Sequence, residues 1–277
     1  MTILVTGATG TVGRGVVELL IQRGHRVRAL TRDPSRAAMP EGVEVFGGDL
    51  TAPASLEPAL DGVTAVQLVS MAGDRYAPLS TAPDVLDRCI RAGVGRVTVL
   101  TGTGEELAVA RAVADSGLEW VHIRPPADYM ANMKHWAAAI RGGDVVHAAF
   151  SSTPHHLVHE RDVAAVIVAG LLDTRLSGRT LGPTGPEALA PSEAARRIGQ
   201  ALGREVRIRD KSPQQAREEL LAAGFQDGFI DFYIEYGMHP PAVSNSDLAV
   251  VKEVTGRPAR TFDEWIVEHA KLFRAHA

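Results

Sequence analysis

Short apolar, β-branched runs alternate with amphipathic stretches through the first half of the chain. A parallel strand buried on both faces is continuously apolar, whereas a helix covering a sheet repeats its apolar residues every three or four positions. The runs predict parallel strands at Ile3–Thr6, Arg26–Leu30, Val43–Phe46, Ala65–Val69, Val97–Leu100 and Trp120–Ile123. The stretches predict helices at Val12–Arg23, Ala54–Ala59, Pro83–Ala92 and Glu105–Ser116. With right-handed crossovers, this alternation predicts an α/β fold with a doubly wound parallel sheet of the Rossmann type.

The second half of the chain has a different pattern. It predicts helices at Asp162–Leu172, Ala194–Leu202 (after a cap residue within Pro191–Glu193), Gln214–Ala223 and Phe262–Phe273, and a short strand at Val206–Ile208. Polar, His-rich residues fill Ser151–His159, and Gly178–Pro191 carries several glycines and prolines. We therefore expect a Rossmann-type domain over residues 1–150, open to completion by later strands, and a smaller C-terminal α+β cap region over residues 151–277.

Composition narrows the range of partners. The 277 residues are 45% hydrophobic and carry a net charge of -4, so no basic field favours nucleic acid or an anionic membrane. Cys89 is the single cysteine, which excludes a disulfide within the chain. Ile3–Val5 leads directly into glycines without a basic leader or a long apolar stretch, so we expect a cytoplasmic protein. A small-molecule or protein partner fits this composition better.

A glycine-rich loop follows the first predicted strand and opens the first helix. Glycines at 7, 10 and 13 permit a tight turn, close approach of the backbone to a pyrophosphate, and close packing of helix on sheet. The helix N-terminus then offers unpaired N–H groups to an anion. The alternative is a tight turn without function. We predict a nicotinamide dinucleotide site that includes Gly7, Thr9, Gly10, Thr11, Val12 and Gly13.

The spacing of this loop resembles that of the extended and atypical short-chain dehydrogenase/reductases, and most closely their NmrA-like branch. Further similar segments are Gly48–Leu50, Ser116–Leu118, Ile123–Pro125, Arg161–Ala164 and Thr255–Pro258 followed by Thr261–Phe262. The resemblance spans nearly the whole chain. It implies a cofactor-binding oxidoreductase fold without specifying one enzyme.

The end of the second strand bears on the choice of nicotinamide. An acidic residue there usually bonds the ribose 2′-hydroxyl of NAD, whereas a basic residue accommodates the 2′-phosphate of NADP. Arg32 occupies this region, with Arg36 as a second donor, so NADP(H) is preferred and NAD(H) stays open. The alternative is that Arg32 is a solvated loop charge and that Asp33 caps the turn before Pro34.

Further cofactor contacts follow from resemblance or from position at strand ends. By resemblance, Asp49 and Leu50 lie beside the adenine, although Asp49 also suits a cap for the next segment. Ser70 and Met71 follow the fourth strand, Thr101 and Gly102 the fifth, and Pro125 the sixth. Since carboxyl ends of parallel strands line the crevice, we expect these residues near the ribose and nicotinamide.

The usual catalytic pair of the resembled family is missing. Most short-chain dehydrogenases use Tyr-x-x-x-Lys, in which the lysine lowers the pKa of the phenol. Those residues would fall near Gly102 and Glu106, and Glu105–Ser116 contains neither tyrosine nor lysine. Two readings stay open. Hydride passes to an acceptor needing little acid assistance, as in the quinone, azo and triphenylmethane reductases that the chain resembles, or the chain is a redox sensor that engages a protein partner.

The segment after the sixth strand carries the candidate substrate contacts. By resemblance, Tyr129, Met130 and Asn132 face the acceptor, and Tyr129 is a candidate proton donor. Met130, Met133 and Trp136 suit either an apolar wall or a helix core, and the core is preferred for Trp136.

The histidines of the second half invite other roles. His155 is a candidate proton donor and His156 a pocket residue, whereas a metal site is not expected because adjacent histidines on an extended segment point to opposite faces. Phe229–His239, with Tyr233 and Tyr236, suits either a lid or packing.

We therefore predict an NADPH-dependent reductase of a small conjugated, quinone-like or imine-like acceptor, and the sequence is compatible with a homo-oligomer.

Overall fold

The structure is a computed structural model that describes residues 1–73, 77–102, 107–126 and 128–274. Its strands are β1 Thr2–Val5, β2 Arg26–Thr31, β3 Glu44–Gly47, β4 Ala65–Val69, β5 Met71–Ala72, β6 Ala77–Pro78, β7 Arg96–Leu100, β8 Glu119–Ile123, β9 Asp128–Tyr129, β10 Val145–Ala149, β11 His155–Val158, β12 Arg179–Leu181, β13 Ala188–Leu189 and β14 Arg207–Lys211.

Helices alternate with the first strands and dominate the end of the chain. They are α1 Thr11–Gln22, α2 Glu57–Leu60, α3 Ala82–Arg91, α4 Leu107–Asp115, α5 Ala137–Gly143, α6 Glu160–Leu172, α7 Pro191–Leu202, α8 Pro213–Ala222, α9 Asp227–Met238, α10 Asn245–Thr255 and α11 Phe262–Phe273. Short 3-10 turns lie at Pro34–Arg36, Pro53–Leu56, Met130–Trp136 and Thr174–Leu176. Of the predicted helix Glu105–Ser116, residues 105 and 106 lie outside the described residues.

The central sheet confirms the predicted fold class. Its order is β12-β8-β7-β4-β1-β2-β3, and every neighbouring pair is parallel. The chain therefore reverses its direction of winding between β1 and β4, which is where doubly wound sheets form a ligand crevice. The six strands predicted in the first half are confirmed to within a residue at each end, whereas the strand predicted at Val206–Ile208 is β14, which continues to Lys211. β12 was missed because its three residues lie in a stretch rich in glycine and proline.

The described residues fall into two compact units. The first unit comprises those of Met1–Pro125, Glu160–Pro183 and Ala249–Pro258, and the second unit comprises those of Pro126–His159, Thr184–Leu248 and Ala259–Ala277. The chain thus passes between the units several times, which differs from the predicted boundary after residue 150. A single cut in the sequence cannot represent segments that return to complete an earlier sheet.

Helix α6 shows why later segments join the first unit. It buries most of its residues, including Val163, Val166 and Ile167, so its surface is apolar on nearly every side. A Cβ at Gly15 of α1 would lie 3.0 Å from Cβ of Ala164, and one at Gly170 would lie 3.1 Å from Thr98 of β7. The small residues therefore allow α6 to pack closely against both α1 and the sheet.

Helix ends were predicted with mixed success. Helix α11 has the predicted bounds. At the start of α8, the Ser212 side chain accepts from the Gln215 N–H, and the Gln215 side chain accepts from the Ser212 N–H. The prediction of a cap within Pro191–Glu193 is wrong, because α7 starts at Pro191 itself and its N-cap, Ala190, has no side-chain acceptor. Proline suits this first position, where no helical partner for an N–H exists.

The second unit has its own core. Its largest buried side chains come from the turn Met130–Trp136 and from α11, where Phe262, Trp265 and Phe273 are fully buried. The ring of Trp265 stacks on Phe262, with centroids 5.5 Å apart and planes 8° from parallel. Within the described part of the chain, every helix falls short of the length and apolar character needed to cross a membrane.

Candidate functional site

The loop after β1 has a backbone that only glycine tolerates at two positions. Gly7 has φ +62°, in the left-handed region that favours glycine, and its carbonyl accepts from the Gly10 N–H at 2.9 Å. A Cβ on Gly13 would overlap the carbonyl oxygen of Gly7 and lie 2.9 Å from Cα of Ala8. The loop therefore folds flat against the first turn of α1, as a backbone cradle for a pyrophosphate requires.

The start of α1 presents free N–H groups to that cradle. Gly10 is the N-cap and provides no side-chain acceptor, and the first turn carries no acidic residue. Thr9, Gly10 and Thr11 are exposed. The first N–H groups of a helix lack partners inside it, and the helix dipole favours an anion at this end. The loop thus meets the requirements of an anion site.

Arg14 braces the loop, a role that sequence reasoning missed. Its Nε donates to the carbonyl of Thr9 at 3.0 Å, and its Nη1 donates to the carbonyl of Ala38 at 2.8 Å. It therefore joins the glycine loop to the segment after β2 that contains Arg32 and Arg36. An arginine directly after Gly13 was visible in the sequence, but its two carbonyl partners required the fold.

In the segment after β2, two arginine side chains are exposed and the carboxylate of Asp33 is hydrogen-bonded. Arg32 and Arg36 are exposed. Oδ1 of Asp33 accepts from the Ser35 N–H at 3.1 Å and from its hydroxyl at 2.6 Å, so the capping role considered for Asp33 is confirmed. Oδ1 of Asp33 is therefore held by local donors, whereas both arginines present their side chains at the surface.

Asp49 follows β3 and also caps a turn. Its Oδ1 accepts from the Thr51 N–H and from the Thr51 hydroxyl, each at 2.8 Å. The backbone bond from Thr51 is the largest cause that lowers the pKa of Asp49, and the positive charge of Arg32 acts in the same direction. Asp49 is therefore ionised at neutral pH, and the neighbouring Leu50 is buried.

The ends of β4 and β7 place two buried hydroxyl groups. Ser70 donates its N–H to Leu100, at 3.3 Å, and Thr101 donates its N–H to Ile123, at 3.0 Å. The Thr101 side chain is buried, and Oγ1 has no hydrogen-bond partner among the described residues. A buried hydroxyl without a partner is costly, so its position at a strand end fits a polar group of a bound ligand.

The predicted cofactor residues all belong to the first unit, at the carboxyl end of its sheet. They are the loop residues Gly7, Thr9, Gly10, Thr11, Val12 and Gly13, and the residues after later strands, Arg32, Arg36, Asp49, Leu50, Ser70, Met71, Thr101, Gly102 and Pro125. The residues of this set are consistent with a bound nicotinamide dinucleotide. The position of Glu106, relevant to the missing lysine, lies outside the described residues.

A second cluster of polar groups lies within the second unit, where β9 pairs in parallel with β11. Asp128 lies opposite Leu157, and Tyr129 lies opposite Val158. His155, two residues before Leu157, is 7% exposed, and its ring stacks on Tyr236 of α9 with centroids 5.4 Å apart and planes 23° from parallel. Residues that are distant in sequence therefore surround one imidazole.

Burial shifts the acidity of these groups. Burial raises the pKa of Tyr129, and the nearby carboxyl of Asp128 raises it further, so the phenol holds its proton tightly. Burial also raises the pKa of Asp128 and lowers that of His155, while each group opposes the shift of the other. Among the two predicted proton donors, the imidazole is thus the stronger acid.

The other predicted substrate residues have different environments. Met130 is fully buried and packs in the core of the second unit with Met133 and Trp136, which supports the core reading for these side chains. Asn132 is exposed. His156 is partly buried, and its Nδ1 lies 3.3 Å from the carbonyl of Gly185.

The structure also gives the positions of the aromatic stretch Phe229–His239 and of His159. The stretch forms most of α9, with Tyr233 exposed and Tyr236 partly buried. His159 is fully buried, with Nε2 at 3.6 Å from Oε2 of Glu268. The described residues contain no group of three or more His, Cys, Asp or Glu side chains that could hold a metal ion.

Comparisons with known proteins agree with this geometry. The profile of a family described as NAD(P)H-binding matches residues 7–174. The chain is 37% identical to a (4-alkanoyl-5-oxo-2,5-dihydrofuran-3-yl)methyl phosphate reductase of Streptomyces griseus, over 98% of this chain and 99% of that protein. It is 32% identical to an NAD(P)H azoreductase of Xenophilus azovorans, over 99% of both chains.

A solved structure shares the fold at lower identity. The NADPH-dependent quinone oxidoreductase of Escherichia coli, in complex with NADPH, superposes with a TM-score of 0.78 and 23% identity, over 96% of this chain and 99% of that chain. At this identity the likeness concerns the fold alone.

Proposed function

We propose a reductase function from the premise that the chain belongs to the NAD(P)H-binding family. This membership confirms the predicted family resemblance and the predicted NAD(P)H cofactor. The relatives described as reductases also confirm the prediction of an oxidoreductase at the level of the enzyme class. Our proposal is narrower: the chain prefers NADPH and reduces a small conjugated acceptor, such as an unsaturated carbonyl compound, a quinone or an imine-like compound.

One observation carries the proposal, namely the backbone cradle beside two exposed arginines. A Cβ at Gly13 would overlap the carbonyl of Gly7, and this close approach within the loop supports its role as a cradle. The only carboxylate in the turn after β2, Asp33, is occupied by Ser35, whereas Arg32 and Arg36 are exposed. Cationic side chains at this place favour the 2′-phosphate of NADPH.

The chemistry of hydride transfer belongs to the cofactor. When bound, NADPH supplies a hydride from C4 of its nicotinamide ring. The protein binds the pyrophosphate at the start of α1 and orients the adenosine end with Arg32. It offers Oγ1 of Thr101, which has no partner among the described residues, to a polar group of the ligand. These residues position the reactants and leave the redox step to the cofactor.

The proposed class of acceptor follows from the acidity of the groups that can donate a proton to it. A ketone requires strong acid assistance at its oxygen, which short-chain dehydrogenases provide with a phenol whose pKa a lysine lowers. Here Gly102 stands in place of that tyrosine, and burial raises the pKa of Tyr129 instead. A conjugated acceptor delocalises the charge that develops on hydride addition, so a weaker donor suffices. The names of both relatives, one acting on an unsaturated lactone and one on azo compounds, support this class.

The test is cofactor binding followed by turnover. NADPH and NADH are titrated against the purified protein by fluorescence, and NADPH oxidation is then followed at saturating cofactor with a naphthoquinone, a cyclic enone, an alkyl butenolide and a cationic triphenylmethane dye. We expect tighter binding of NADPH and oxidation that depends on at least one acceptor. If the protein bound neither NADPH nor NADH, the proposal would be overturned.

A non-catalytic redox sensor is the second candidate. The exposed rings of Phe229 and Phe232 on α9, and of Phe225 just before it, support this candidate, because several large apolar side chains at the surface suit a protein partner. A sensor would bind NADPH without oxidising it in the presence of any acceptor of the panel. Acceptor-dependent oxidation would rule it out.

A further inference from the structure

We infer that Arg14 enforces the preference for NADPH as a positioning residue, by holding the glycine loop and residues 32–38 in one arrangement. The inference rests on the proposed preference for NADPH and adds a residue that does not itself bind the 2′-phosphate. Its basis is one guanidinium that bonds two backbone carbonyls from separate segments of the first unit. Residues 32–38 include Arg32 and Arg36, the two candidate ligands of that phosphate.

The first contact of Arg14 fixes a peptide group in the glycine loop. Nε of Arg14 donates to the carbonyl of Thr9 at 3.0 Å, and the Gly10 N–H donates to the carbonyl of Gly7 at 2.9 Å. The Thr9 carbonyl and the Gly10 N–H belong to the same trans peptide group and point in opposite directions. This group is therefore held on both sides. Because a carbonyl oxygen carries partial negative charge, holding it on a guanidinium keeps the loop suited to an anion.

The second contact reaches the segment that carries the exposed arginines. Nη1 of Arg14 donates to the carbonyl of Ala38 at 2.8 Å. Ala38 donates its own N–H to the carbonyl of Arg36 at 3.1 Å, and Arg36 donates its N–H to the carbonyl of Asp33 at 3.4 Å. A series of hydrogen bonds thus runs from the guanidinium through the backbone to the turn that follows Arg32.

This segment gains from an outside anchor. Residues 37–43, between the turn Pro34–Arg36 and β3, form neither helix nor strand. Ordering such a backbone and the long side chains of Arg32 and Arg36 around an anion costs conformational entropy. A contact that fixes the backbone before the ligand arrives lowers this cost and strengthens binding. Arg14 therefore prepares the two exposed arginines for the 2′-phosphate.

The two contacts have different consequences for the two nucleotides. The contact with Thr9 supports the pyrophosphate site, and both NADPH and NADH contain a pyrophosphate. The contact with Ala38 supports the site of the 2′-phosphate, which NADH lacks. The ratio of the two affinities therefore reports the contact with Ala38 alone. Lysine cannot replace both contacts, because its ammonium lacks the planar set of donors with which a guanidinium bridges two acceptors.

The experiment measures the dissociation constants of NADPH and NADH by fluorescence titration. The variants are Arg14→Lys, which keeps the charge, and Arg14→Met, which removes it. Arg14→Met is also combined with Arg32→Leu and Arg36→Leu and compared with that pair of substitutions alone. The matched control is Arg23→Met, which removes an exposed charge at the other end of α1. Both nucleotides are titrated against one preparation, so a fraction of unfolded protein leaves the ratio unchanged.

We expect Arg14→Lys and Arg14→Met each to lower the ratio of NADPH affinity to NADH affinity by about 10-fold. Without Arg32 and Arg36, Arg14→Met should change the ratio by less than about twofold, because residues that act through one another are not additive. Arg23→Met should keep the wild-type ratio. A wild-type ratio in both Arg14 variants, or an undiminished effect in the background that lacks both arginines, would overturn this inference alone. Equal affinities of the wild-type protein for both nucleotides would overturn it together with the proposed preference for NADPH.

Discussion

Nη2 of Arg257 lies 3.1 Å from Oδ1 of Asp162, a side chain with no exposed surface. Asp162 is in the first turn of α6, and Arg257 follows α10, so the pair joins two late segments of the first unit. A buried carboxylate that loses its partner keeps its desolvation penalty, and this penalty makes such a loss costly. Two of the segments that suggested the family resemblance therefore meet in one ion pair.

Arg257→Met should lower the free energy of unfolding by about 2 to 4 kcal/mol, because it leaves the Asp162 carboxylate buried without its guanidinium. Urea denaturation followed by circular dichroism measures the loss. The matched control is Arg179→Met, which breaks an exposed pair with Glu253 at 3.0 Å and should cost less than about 1 kcal/mol. Equal losses in both variants would contradict the structural role of the buried pair.

Gly13→Ala should weaken NADPH binding by about 10- to 100-fold, because the added Cβ overlaps the carbonyl oxygen of Gly7 and displaces the cradle. Fluorescence titration measures the change. Gly95→Ala serves as the control, since a Cβ there meets nothing within 4 Å and the residue has no positive φ. Native affinity in Gly13→Ala would show that the loop does not hold the dinucleotide.

Arg32→Leu should weaken NADPH binding by about 10- to 100-fold through loss of charge-assisted bonds to the 2′-phosphate. NADH lacks that phosphate, so its affinity should change by less than about threefold. The dissociation constants of both nucleotides are compared by titration, with the exposed Arg23→Leu as a control for the change in net charge. A parallel loss for both nucleotides would assign Arg32 to the loop conformation rather than to the phosphate.

Cys89 should resist alkylation in the folded protein. Burial raises the pKa of its thiol to about 12, so the reactive thiolate is scarce at pH 8, and the side chain is 2% exposed. Iodoacetamide labelling followed by mass spectrometry should show little modification without denaturant and complete modification in concentrated urea. Rapid labelling of the native protein would contradict the packing of α3.

Much of the first unit could be predicted because its signals are local. A strand buried on both faces carries its own apolar pattern, and Ala65–Val69 has the bounds read from the sequence. β12 could not be predicted, because three residues hold no periodic pattern and pair only with β8 once α6 has returned the chain to the sheet. The predicted cap of α7 was wrong because the helix begins at Pro191, and the residue before it has no side-chain acceptor.

The sequence by itself determined the dinucleotide loop. Spaced glycines between a strand and a helix constrain their own backbone, so Gly7 and Gly13 can be interpreted without knowledge of distant residues. Only the tertiary structure decided the surroundings of His155. Asp128, His155 and Tyr236 lie far apart along the chain, and they meet because β9 pairs with β11 and α9 packs beside them. Proton affinity depends on burial and on neighbouring charges, and both are properties of the packed fold.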